Sequence, residues 1–88
     1  MTFLITNGGG MVHEFFVGDA AAQAAREAEL VAAGGDAPED TPTGRAMAPG
    51  QTEELTYVFT QPGIWMAGCH VTNHYVGGMK ADINVSAP

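Results

Sequence analysis

Residues 63–85 read "GIWMAGCHVTNHYVGGMKADINV", two β-rich segments on either side of a loop that opens on the chain's only cysteine. Taken in steps of two, Trp65, Ala67 and Cys69 share one face of the first segment, and Met66, Gly68 and His70 share the other. In the second segment Met79, Ala81, Ile83 and Val85 oppose Lys80, Asp82 and Asn84. Two strands are expected, with Cys69 and Met79 on the core face and His74 in the loop between them.

Upstream segments repeat the strand signal. "EELTYVFT" (53–60) alternates, with Leu55, Tyr57 and Phe59 on one face, and a Pro62-Gly63 turn follows it. "VHEFFV" (12–17) sets His13, Phe15 and Val17 against Glu14 and Phe16, of which Phe16 is the misfit. "TFLIT" (2–6) ends in Asn7 and three glycines, which is turn chemistry. Between these strands, "DAAAQAAREAELVAAGG" (19–35) predicts a helix with Asp19 as N-cap and a glycine stop. Its periodicity puts Ala21, Ala24, Ala25, Ala28, Val31 and Ala32 on a thin inward face and Gln23, Arg26, Glu27 and Glu29 outward. Leu30 then falls on the polar side. Residues 34–50, "GGDAPEDTPTGRAMAPG", read as an acidic surface loop ending in a Pro49-Gly50 turn. The expected fold class is therefore all-β, an antiparallel Greek-key β-sandwich with one short Ala-rich helical insertion.

Eighty-eight residues bury one modest core, so one domain is expected over 1–88, with the helical insertion and acidic loop at about 19–50. The net charge of -7 comes entirely from residues 14–54, where only Arg26 and Arg45 oppose the carboxylates. Phosphate contacts need clustered Lys and Arg, which excludes nucleic acid as the expected partner. No apolar run approaches a membrane span, and Met1 is not followed by signal-peptide chemistry. The chain reads as soluble, and as a mature form or a fragment if it is exported. One cysteine forms no internal disulfide, which leaves Cys69 as a ligand or a nucleophile.

His13, Cys69 and Met79 each stand at the end of an inward-facing row, and the loop carries His74 back over the same end. One thiolate, two imidazoles and a thioether suit copper, whereas zinc usually recruits a fourth strong ligand in place of methionine. His70 faces away from Cys69 and is expected to be exposed or hydrogen-bonded. Asn7 is expected to cap a turn or brace the loop before His13.

"HEFFVGD" (13–19) and "GCHVTNHYVGGMKADINV" (68–85) resemble the cupredoxin family in its plastocyanin and azurin-like small domains, over most of the chain outside the helical insertion. The resemblance implies His13, Cys69 and His74 as equatorial ligands of one type 1 copper ion, Met79 as the axial ligand, and an extracytoplasmic location. It also implies that the backbone N–H next to His13 tunes the cysteine sulfur. Where many relatives carry Pro-Gly before the loop histidine, this chain has Thr72-Asn73, and Asn tolerates the left-handed conformation better than most residues. Relatives usually begin a strand or more before "TFLITN", so a shortened N-terminus with an exposed edge or thin core is expected. Multicopper oxidases place His on both sides of the cysteine; Gly68 breaks that pattern, and an oxidase is not expected.

The function expected is one-electron transfer between Cu(II) and Cu(I), with His74 as the electron port and a redox protein, steered by the acidic segment if basic, docking near it. A copper-binding or trafficking domain is the first alternative. A thiol hydrolase using Cys69 with His74 or His13 is the second.

Overall fold

The computed structural model describes residues 1–35, 39–71, 74–75 and 77–85. Strands β1 (Thr2–Thr6) and β2 (His13–Gly18) lead into helix α1 (Ala20–Ala32). Strands β3 (Gly44–Met47), β4 (Thr52–Thr56), β5 (Gly63–Gly68) and β6 (Lys80–Val85) follow. All pairings among the described residues are antiparallel, with β1 and β4 forming one sheet and β3-β2-β5-β6 the other. The all-β antiparallel sandwich with one short helix read from the sequence is what the chain forms.

The two sheets meet through the alternating rows. Phe3 of β1 lies against Phe15 of β2, ring centroids 5.2 Å apart, and Tyr57 beyond β4 meets Trp65 of β5 at 5.8 Å. Val17, Met47 and Leu55 are buried between them. Strand β3 lies inside the segment expected to be loop. At four residues it is too short to show alternation, and its pairing with β2, His13 opposite Met47 and Glu14 opposite Ala46, defines it.

Helix α1 begins and ends as its sequence dictates. The Asp19 carboxylate accepts from the Ala22 N–H at 2.8 Å, and Gly34 and Gly35 adopt positive φ just past the last turn. Its inward face is the reverse of the one the alanines suggest. Gln23, Arg26 and Leu30 are buried, while Ala21, Ala24, Ala25, Ala28, Val31 and Ala32 face solvent. The reason lies in the surface beneath: the outer side of β2 and the end of β5 present Glu14, Phe16 and His70, which demand polar partners as well as cover. An alanine methyl is worth no more than about 0.8 kcal/mol on burial, too little to outweigh leaving Glu14 and His70 unpaired. Phe16 thereby finds its place, edge-on to His70 at 6.0 Å and beneath the Arg26 guanidinium at 5.8 Å.

Strand β6 departs from its expected burial in another way. Ile83 and Val85 are half-buried, but Ala81 is exposed and Met79 is 40% exposed. Phe15, Ala67, Cys69, Met79 and Ala81 border an open groove of about 370 Å³ on this side.

Candidate metal centre

Local structure carries each donor to one end of the sandwich. His13 opens β2 after the glycine loop, and Asn7 ties that loop down: its Nδ2 donates to Met11 O at 2.8 Å and Met47 O at 3.0 Å, while its Oδ1 accepts from the Gly9 N–H at 2.9 Å. Of the two roles expected as alternatives, turn cap or brace, Asn7 fills both. Cys69 follows the last residue of β5. The loop beyond it is cinched by backbone bonds, from His74 N to Val71 O at 2.8 Å, from Met79 N to His74 O at 2.9 Å and from Cys69 N to Met79 O at 3.1 Å. Thr72 and Asn73, which stand where many cupredoxins carry Pro-Gly, lie outside the described residues.

Three of the four expected donors converge. The sulfur of Cys69 lies 3.3 Å from His74 Nδ1 and 3.9 Å from His13 Nδ1, and one donor atom from each residue falls within 4.8 Å of the others. Donors bound to a common ion at about 2.0–2.3 Å stand roughly 3.3–3.8 Å apart at trigonal to tetrahedral angles, so this set fits a single metal ion. Cys69 is 2% exposed and both imidazoles are half-buried, so the cluster is enclosed yet reachable from the His side. Burial pushes the Cys69 thiol pKa up, the carboxylates of Glu14 and Glu27 add to that, and backbone hydrogen bonds from Glu14 and Val71 oppose it. The Glu14 N–H donates to Cys69 Sγ at 3.2 Å, which is the contact expected next to His13.

Met79, the fourth expected donor, lies beside the cluster through its main chain and a neighbouring cavity. Its backbone links Cys69 to His74, and the residue lines a cavity of about 260 Å³ with Asn7, His13, Phe15 and Met47.

A second layer of side chains, which periodicity assigned to solvent, stands behind the donors. Arg26 Nε and Nη2 donate to Glu14 Oε2 at 2.9 and 2.6 Å, and the Glu14 side chain is fully buried. Burial lowers the Arg26 pKa, but the Glu14 hydrogen bonds and charge outweigh it and hold the guanidinium above its ordinary value. His70 is 1% exposed, with Nε2 donating to Gln23 Oε1 at 2.6 Å and Nδ1 lying 2.8 Å from Glu27 Oε1. Tyr75 stacks on its ring at 4.3 Å. The signal for this layer was Leu30, whose place on the polar side marked that side as the buried one.

The chain has the cupredoxin fold, an antiparallel two-sheet sandwich, and brings His13, Cys69 and His74 together at one end. It is similar to the crystal structure of Na-dithionite-reduced auracyanin from the photosynthetic bacterium Roseiflexus castenholzii. The TM-score is 0.81 and the identity 24%, over 99% of this chain and 77% of that one. It is also similar to a structure of auracyanin B, with a TM-score of 0.75 and 23% identity over 98% of this chain and 70% of that one. No family model matches the chain, and neither does any curated protein.

Proposed function

We propose that the chain is a type 1 copper protein that carries single electrons, with His13, Cys69 and His74 as equatorial ligands and Met79 as a weak axial one. The observation that carries this reading is the convergence of one thiol and one ring nitrogen from each of two imidazoles within 4.8 Å on a cupredoxin fold. Soft sulfur with borderline nitrogen favours copper over harder cations, and three strong donors with a thioether favour it over zinc. The likeness to an auracyanin described as reduced supports redox use of the same kind of site. Copper bound here would supply one oxidising or reducing equivalent at a time. The chain's own part is to keep both imidazoles and the sulfur in place on opposite elements, to exclude water at Cys69, and to offer His74 at a rim where Gly77 and Gly78 are exposed. A redox protein docking at that rim and an extracytoplasmic setting belong to the same proposal. No helix among the described residues is long and apolar enough to cross a membrane.

The thiol hydrolase reading fares worse on the observations. It needs an open, readily ionised thiol, while Cys69 is buried and its pKa is raised.

A Cu(II) titration followed by visible absorption tests the proposal. One equivalent is expected to develop an intense visible band that a reductant bleaches and an oxidant restores. Cys69→Ser should lose the band, and Met79→Leu should keep it while the reduction potential shifts. Tight Cu(I) binding without a stable coloured Cu(II) form would turn the reading to copper trafficking.

A further inference from the structure

We propose that helix α1 braces the metal centre from behind, with Gln23 and Arg26 as positioning residues acting on Cys69 and His13. The inference rests on the metal reading above and extends it to a layer that takes no part in ligation.

Gln23 and Arg26 stand three residues apart, hence on the same face of the helix, and both are buried. Gln23 is 0% exposed, and its Nε2 donates to two strands at once, to Phe16 O of β2 at 3.1 Å and Met66 O of β5 at 2.9 Å. Those two carbonyls fix the amide's orientation, so Oε1 is the atom that faces His70. His70 is the residue after Cys69, and it is held on three sides by Gln23, Glu27 and the stacked ring of Tyr75. Cys69 is therefore anchored from the face opposite the donors. Arg26 does the equivalent for the other strand. It grips Glu14, the residue after His13, whose N–H donates to the Cys69 sulfur.

One helical turn thus fastens the residues that follow two donors from two different strands. Groups that orient metal ligands without touching the metal typically change affinity 10–100-fold when removed. The fit depends on Gly68, where a Cβ would come within 2.7 Å of Tyr75 Cε1 and 2.8 Å of Gln23 Oε1. Cover alone does not explain the arrangement. Among the described residues Glu14 Oε1 is buried without a partner, and a buried ion pair is commonly no more stable than apolar residues of similar volume. What the polar set adds over apolar packing is direction, because hydrogen bonds fix where the attached strand ends point.

The experiment compares the full chain with Gln23→Leu and Arg26→Lys, using Val31→Ala on the solvent face of the same helix as control. Metal-free melts establish folding; a Cu(II) titration then gives the dissociation constant and band position, and voltammetry the potential. Weakening of Cu(II) binding by 10–100-fold in Gln23→Leu, with a displaced band and potential, is expected. Arg26→Lys, which keeps the charge but not the paired geometry, should shift band and potential in the same way, and Val31→Ala should shift neither. Parent-like affinity within twofold, band and potential in both variants overturn the brace, whatever the melts show. Should Gln23→Leu fail to fold, Glu27→Gln reaches His70 from a half-buried position, and an unchanged band and potential there count equally against it. Should the parent itself take up no Cu(II), the metal reading fails separately, and iodoacetamide alkylation of Cys69 in the metal-free protein decides the brace. Faster alkylation in folded Gln23→Leu or Glu27→Gln sustains it, and an unchanged rate overturns it.

Discussion

Cys69 at the residue scale feels two opposed influences. Burial raises its pKa from the ordinary 9.0, the carboxylates of Glu14 and Glu27 reinforce the rise, and the N–H groups of Glu14 and Val71 only partly offset it. In the metal-free protein the folded state therefore holds this proton to higher pH than the unfolded chain does. The resulting stability is fully present below the unfolded value and is lost as pH rises through the folded one. Thermal melts of the metal-free protein are expected to fall from about pH 9 upward, and Cys69→Ser should remove that part of the decline. An identical profile in the variant would show that the thiol is not the group responsible. His13, Cys69 and His74 could be picked out of the sequence because each is chemically distinctive, the first two ending alternating rows and the third carried back by the loop. Met79 was legible as a neighbour but not as a 40% exposed side chain, since the openness of its groove depends on what the other sheet covers. For Gln23, Arg26 and Glu27 the one hint was Leu30 on their side of the helix, which marks that side as buried but not as part of a site. Nothing in their spacing says that a carboxylate and an imidazole lie beneath them.

Elements follow the same division. Strands with alternating rows and a helix with an Asp cap and a glycine stop could be located from local chemistry, whereas β3 exists through its pairing with β2. The orientation of α1 is the sharpest case, because six residues that periodicity turned inward lie in solvent. Amphipathic reasoning assumes that the surface beneath a helix is apolar, and here it is partly ionic. Two neighbouring residues separate the alternatives. Leu30 is 4% exposed and Val31 67%, although the alanine stripe would have buried Val31 and left Leu30 outside. Leu30→Ala is expected to destabilise the protein by about 2–5 kcal/mol, and Val31→Ala to stay within about 0.5 kcal/mol of the parent. Urea unfolding of the two variants checks this, and the opposite ranking would restore the alanine face as the packed one.

For the whole molecule, the relevant quantities are a charge of -7 and a length of 39 Å. Glu14 beside the site is paired with Arg26, and Lys80 and Asp82 cancel, so the remaining charge lies on the acids between residues 19 and 54. What an approaching reagent feels at His74 thus depends on how far the acidic part of the molecule projects through solvent. At 0.01 M salt the screening length is about 30 Å, comparable with the molecule, and the whole negative charge acts at the rim; at 0.15 M it is about 8 Å, and only nearby groups do. If electrons leave through His74, the rate with a cationic complex such as hexaammineruthenium should fall about tenfold over that range, and the rate with hexacyanoferrate should rise. The two curves should converge at high salt, because the local surface is nearly neutral. Stopped-flow measurements on the copper-loaded protein supply the test. Rates that still differ strongly between the two reagents at high salt would place the port beside the acidic segment, where short-range charge survives screening, and would remove His74 from that role.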